Sequence, residues 1–145
     1  MTREEMEQLY RAHIIPENRA PYHFEVDAEA PMQVQAYNPM CGDKFTLYLH
    51  AAATIEKAHF HGIGCAISKA SGSLLMRELE GKSTAQIQQL CEAFLQSLEP
   101  DSNIGNLPEA LQTLAALKNF DGRLDCIRLP WKALLDALTS PDTNH

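Results

Sequence analysis

Alternating apolar and polar positions predict three consecutive β-strands in the first half of the chain. Residues 33–37 alternate in this way, residues 45–50 do so more regularly, and a third run extends from about Ile55 to His61. The segment Asn38–Asp43, between the first two runs, contains a proline and a glycine, which favour a turn. The strands therefore follow one another directly, as in an antiparallel sheet.

Apolar residues that recur at helical spacing predict helices on both sides of the strands. The first helix starts at Thr2, because Thr2 and Glu5 have the spacing of a capping box. Further helices are predicted from about Cys65 to Leu79, after Ser83, from Pro108 and from near Pro130. Helices that follow a block of strands indicate an α+β fold, in which a three-stranded antiparallel sheet carries helices on one face.

The composition is that of an ordinary globular domain. Apolar residues make up 45% and charged residues 21% of the 145 residues, which predicts a single domain spanning 1–145. The net charge of −7 disfavours nucleic acid as a partner, because phosphate backbones attract basic surfaces. No apolar stretch reaches the roughly 18 residues of a membrane span, and the charged N-terminal residues do not read as a signal peptide. We therefore expect a cytoplasmic protein with reduced cysteines.

Three of the four cysteines lie where the chain is predicted to change direction. Cys41 lies in the turn between two strands, Cys65 at a strand-to-helix junction that favours its thiolate, and Cys126 between two helices. Asp43, two residues from Cys41, can point to the same side. Three thiolates and a carboxylate could complete a tetrahedral zinc site or hold part of an iron–sulfur cluster. Spacing alone leaves open whether they meet, because free cysteines are also common as small buried residues; Cys91, on an apolar helix face, is predicted to be one.

The histidines of the third strand offer a weaker signal. His59 and His61 fall on the same strand face as Lys57 and are predicted to face solvent. A hydrolase built from Cys65 and a histidine is disfavoured, because no oxyanion-binding group or orienting carboxylate occurs at a recognisable spacing.

Several longer motifs are more specific than these spacings. They are Tyr-Asn-Pro-Met-Cys-Gly-Asp at 37–43, Phe-His-Gly-Ile-Gly-Cys-Ala-Ile-Ser-Lys-Ala-Ser-Gly-Ser at 60–73, Arg-Leu-Asp-Cys at 123–126 and Leu-Pro-Trp at 129–131. With them the chain resembles the NifU-like N-terminal (IscU/SufU) family from about Tyr10 to Leu138. Asp125 stands where the IscU branch has a histidine, and the Leu-Pro-Pro-Val-Lys chaperone motif of that branch is missing from this chain. The segment between Lys82 and Cys126 is also longer than in the IscU branch. These departures resemble the SufU branch.

The resemblance implies a site and a set of partners. In the SufU branch zinc is bound by three cysteines and an aspartate, which match Cys41, Asp43, Cys65 and Cys126. Cys41 matches the thiol that accepts persulfide sulfur from a pyridoxal-phosphate cysteine desulfurase (SufS-like), and Arg123 matches an arginine that supports this exchange. The implied function is zinc-dependent sulfur transfer to other iron–sulfur assembly proteins. The alternatives are a scaffold on which a [2Fe–2S] cluster is assembled, and a zinc module that serves only as an adaptor.

Overall fold

The sheet has three antiparallel strands in the order in which they occur along the chain. In the computed structural model, which describes residues 2–119 and 124–139, the strands are β1 (Met32–Asn38), β2 (Asp43–Ala51) and β3 (Ile55–Ile63). The register pairs Tyr37 with Lys44 and Lys44 with Ile63, so that these three residues form a row across the sheet. The α+β prediction and the three predicted strands are confirmed.

The alternation of apolar residues determines which face of the sheet is buried. Phe45, Leu47 and Leu49 of β2 are all inaccessible, while Lys44 on the opposite face is exposed. The third strand is longer than predicted, because it continues through Gly62 instead of ending there. Gly62 has a φ of +154°, and a Cβ at this position would collide with the main-chain oxygen of Lys44. The close approach of β2 and β3 at this point therefore requires glycine.

Helices precede and follow the sheet. They are α1 (Arg3–Leu9), α2 (Ile15–Arg19), α3 (Ala66–Leu79), α4 (Thr84–Ser97), α5 (Glu109–Ala116) and α6 (Leu124–Thr139), with a π-helical turn at Tyr10–Ile14 and a 3-10 turn at Leu117–Asn119. The capping box at Thr2 is confirmed, and a second one forms at Ser83. Within the described ranges, no helix combines the length and the apolar character that a membrane crossing requires.

The last helix begins earlier than the sequence predicts. The expected start near Pro130 is wrong: α6 begins at Leu124 and contains Pro130 in its interior. Proline lacks an N–H, so Pro130 makes no main-chain hydrogen bond to the carbonyl of Cys126. On either side of this proline, the buried Ser71 holds α6 against α3, because its hydroxyl donates to the carbonyl of Ile127 (2.6 Å) and accepts a hydrogen bond from Trp131 Nε1 (2.9 Å).

The core lies between the sheet and the helices. The helix α6 packs against β1, α3 and α4, and its Trp131 is completely buried and stacks on Phe94 with the ring centroids 4.2 Å apart. Because α6 begins at Leu124, Cys126 lies in its first turn and not in a connection between helices. The core packing of α6 therefore fixes the position of this cysteine.

Candidate metal centre

The hairpin between β1 and β2 carries the first two residues of the site. Asn38 organises this turn, since its carbonyl accepts a hydrogen bond from the Gly42 N–H (2.8 Å) and its side-chain oxygen accepts one from the Met40 N–H (3.0 Å). Gly42 adopts a φ of +77°, which favours glycine. As a result, Cys41 is exposed at the tip of the hairpin, whereas Asp43 begins β2 and is only 1% exposed.

The first turn of α6 brings a third residue to this hairpin. The Cys41 thiol donates to Asp43 Oδ2 over 3.1 Å, and Cys41 Sγ lies 3.8 Å from the Sγ of Cys126. The two sulfurs and a carboxylate oxygen of Asp43 all lie within 4.8 Å of one another. Three residues that are far apart in the sequence thus converge on one point, with Cys41 exposed and the other two buried.

Cys65 lies beside this group without being part of it. Its main-chain N–H donates to Asp43 Oδ1 (3.0 Å), which connects the start of α3 to the carboxylate. Its side chain is the N-cap of α3, where the sulfur accepts a hydrogen bond from the Ser68 N–H (3.4 Å). Participation of Cys65 as a fourth ligand therefore stays a prediction, and Arg123 lies outside the described residues.

The donor set fits a zinc ion. In a tetrahedral site with Zn–S bonds of about 2.3 Å, two sulfur ligands lie about 3.8 Å apart, which is the separation of Cys41 and Cys126. Thiolate and carboxylate are both ligands that zinc accepts. A carboxylate as buried as that of Asp43 also favours a nearby cation, because burying a charge without a partner is unfavourable.

The buried thiol of Cys126 and the half-buried thiol of Cys65 differ in acidity. Burial raises the pKa of Cys126 well above the ordinary thiol value, and the neighbouring thiols of Cys65 and Cys41 raise it further. Burial also acts to raise the pKa of Cys65, but hydrogen bonds with Ser68 and Cys126 outweigh it and lower the pKa of that thiol. This direction agrees with the thiolate character expected for a cysteine at a helix N-terminus.

Cys91 and the β3 histidines His59 and His61 lie outside this group of metal-binding candidates. Cys91 is completely buried in the core, as predicted, and burial raises its pKa to about 12. His61 is exposed, as predicted. His59 is half-buried, contrary to the prediction, because its ring stacks on that of His23, a residue of the loop before β1, with the centroids 4.9 Å apart.

An apolar surface beside the site was not anticipated from the sequence. Among the described residues four large apolar side chains are strongly exposed, and three of them flank the hairpin tip or the end of β3: Tyr37 (59%), Met40 (89%) and Ile63 (78%). The strand register places Tyr37 and Ile63 on either side of Lys44. Alternation predicts that Tyr37 faces outward, but only the register shows that Ile63 shares its row. We call Tyr37, Met40, Lys44 and Ile63 the tip surface.

Comparison with known proteins places these features in a family. A family model described as the NifU-like N terminal domain matches residues 9–139. The chain is 34% identical over 112 residues to the iron–sulfur cluster assembly scaffold protein IscU of Thermotoga maritima, covering 76% of this chain and 78% of the relative. It is 33% identical over 135 residues to the zinc-dependent sulfurtransferase SufU of Bacillus subtilis, covering 89% and 88%. A crystal structure from Fervidobacterium islandicum AW-1, of a candidate iron–sulfur cluster assembly scaffold protein for the SUF system, superposes with a TM-score of 0.81 at 26% identity, covering 91% and 98%.

Proposed function

Because the chain belongs to the family of the NifU-like N-terminal domain, and its relatives are named as an iron–sulfur cluster assembly scaffold protein and a zinc-dependent sulfurtransferase, we propose that it accepts persulfide sulfur from a cysteine desulfurase and passes it on for iron–sulfur cluster assembly. The observation that carries this proposal is the exposed Cys41 thiol in contact with Asp43 and Cys126. The exchange requires reduced thiols, which are maintained in the cytoplasm, the compartment we propose for it.

The exposure of Cys41 suits it to be the accepting thiol. Its thiolate would attack the outer sulfur of the donor persulfide, a new S–S bond would form on Cys41, and the donor cysteine would leave as a thiolate. Asp43 and Cys126 are buried beneath it, so a partner protein reaches Cys41 first. We assign the catalytic role to Cys41 and propose that Arg123 supports the exchange, following the family resemblance.

We propose that Cys41, Asp43 and Cys126 hold zinc, with Cys65 completing the set. When bound, zinc keeps its cysteine ligands deprotonated. Asp43 accepts hydrogen bonds from both the Cys41 thiol and the Cys65 N–H, so it already orients two of the other residues. Loss of Asp43 should therefore weaken zinc binding for two reasons: it removes a ligand, and it releases the hairpin tip from the start of α3.

The tip surface suits the desulfurase as the docking partner. Sulfur transfer requires direct contact between the two sulfur atoms, so the donor must cover the side chains around Cys41. Met40 is the chain neighbour of Cys41, while Tyr37 and Ile63 lie on either side of Lys44 at the same end of the sheet. Exposed apolar side chains beside a reactive group are typical of an interaction surface.

Trapping of the transferred sulfur tests this proposal. The zinc-loaded protein is incubated with a cysteine desulfurase and cysteine, alkylated and digested, and the mass of one added sulfur is located by peptide mass spectrometry. We expect it on Cys41, and we expect Cys41→Ser to abolish both the adduct and the stimulation of desulfurase turnover. Cys91→Ser is the matched control and should retain both. Unchanged stimulation by Cys41→Ser would contradict the role of Cys41.

The same donor set could hold a [2Fe–2S] cluster, since thiolates are also its usual ligands, so a scaffold role is the second candidate. The two occupants differ in colour, because zinc sites are colourless whereas clusters absorb visible light. We expect purified protein to be colourless and to contain about one zinc per chain, as a single tetrahedral site implies. Stoichiometric iron and sulfide with visible absorption would favour the scaffold instead.

A further inference from the structure

The thiols of Cys41 and Cys126 are in van der Waals contact but differ in accessibility. Their Sγ atoms are 3.8 Å apart, while Cys41 is exposed and Cys126 is only 6% exposed. A disulfide requires the two sulfurs to approach to about 2.05 Å. Because Cys126 is buried beneath the hairpin, it reacts most readily with whatever Cys41 carries and not with an outside partner.

We propose that in the metal-free chain Cys126 resolves a persulfide on Cys41, releasing sulfide and leaving a Cys41–Cys126 disulfide. This inference rests on the proposed function, because it begins from a persulfide on Cys41. The sulfur of Cys126 bonds to the Sγ of Cys41, and the bond between that Sγ and the outer sulfur breaks. The outer sulfur leaves as hydrosulfide with the proton of the Cys126 thiol, so the outer sulfur is reduced, Cys126 is oxidised, and no other reactant is needed.

Neither of the other two cysteines is placed for this step. The Cys65 sulfur lies outside the close group and caps α3 through the Ser68 N–H. Cys91 is buried in the apolar face of α4 and has no exposure at all. Of the described thiols, Cys126 is thus the one in contact with the sulfur that Cys41 presents.

The fate of the sulfur would then depend on whether the site is loaded with metal. When Cys126 serves as a zinc ligand its electron pair is engaged, so the persulfide on Cys41 persists for transfer to another protein. Without metal, each chain would release one sulfide and would then accept no further sulfur. Its disulfide would prevent renewed uptake until a dithiol reductant opened it.

A single-turnover experiment on the full chain tests this inference. The protein is stripped of metal with a chelator, treated briefly with inorganic tetrasulfide to place a persulfide on Cys41, and desalted. Sulfide is measured with methylene blue, and cross-links are located by peptide mapping without reduction. We expect release of about one sulfide per persulfide and a Cys41–Cys126 cross-link. Cys126→Ser should slow the release at least about tenfold, whereas Cys91→Ser should not change it. Added zinc should suppress it.

Three results would overturn the inference: a stable persulfide on Cys41 of the metal-free wild type, release by Cys126→Ser at the wild-type rate, or cross-links spread over all four cysteines. The cross-link map of the metal-free wild type tests the inference even if Cys126→Ser does not fold. Chemical loading also separates this inference from the proposed function. Absence of sulfur transfer from a desulfurase, together with sulfide release after tetrasulfide treatment, would count against the proposed function alone.

Discussion

Replacing Ile63 by aspartate should weaken docking of the desulfurase without disturbing the fold. Ile63 is 78% exposed at the end of β3, so the folded chain gains little from it. Complete burial of an isoleucine by a partner contributes about 1.5–3 kcal/mol, and each 1.4 kcal/mol changes the dissociation constant tenfold. We therefore expect Ile63→Asp to raise the concentration of this protein that half-saturates desulfurase stimulation by about 10- to 100-fold.

Val26→Asp provides the matched control for this substitution. Val26 is 58% exposed and precedes Asp27, which is bound to His50 (2.7 Å) near the end of β2 that is far from Asp43. The assay is alanine production by the desulfurase as a function of the concentration of each variant. We expect Ile63→Asp to retain the maximal stimulation, and Val26→Asp to retain both the maximal stimulation and the half-saturating concentration. Equal effects of the two substitutions, or a lower maximum with unchanged half-saturation, would refute docking through the tip surface.

Three further predictions concern the framework around the site. Gly62→Ala should lower the free energy of unfolding by about 1–3 kcal/mol more than Gly81→Ala, measured by urea denaturation; both glycines have positive φ, but only the first lacks room for a Cβ. Because burial raises the pKa of Cys91 to about 12, this thiol should resist modification at about pH 8 while Cys41 reacts. Its contribution to stability should be complete below its unfolded pKa of about 8.5 and be lost as the pH rises towards its folded pKa. Ser71→Ala should destabilise the chain by about 1–3 kcal/mol because it leaves the buried indole N–H of Trp131 without its hydrogen-bond partner, and a loss below about 0.5 kcal/mol would contradict this.

Local patterns in the sequence are sufficient to predict the three strands and the starts of α1, α3, α4 and α5. The alternation around Phe45, the capping box at Thr2 and the start of a helix after Ser83 depend on neighbours a few positions away, and all three predictions are confirmed. The start of α6 was missed for the opposite reason. Pro130 is ordinarily a helix-start signal, whereas its position inside α6 accompanies tertiary contacts of this helix with residues such as Ser71, which is far away in the sequence.

The same distinction explains how much of the site could be predicted. The proximity of Cys41 and Asp43 follows from their spacing in a turn, whereas the approach of Cys126 depends on the packing of α6 against β1 and α3. That packing is held by residues with no chemistry of their own, among them the buried Trp131 and its hydrogen bond to Ser71. The separation of the two sulfurs is thus a property of the core as much as of the hairpin. Substitutions along the buried face of α6 should therefore change metal affinity before they unfold the chain, because a shift of a few tenths of an ångström exceeds what a bond of about 2.3 Å accommodates.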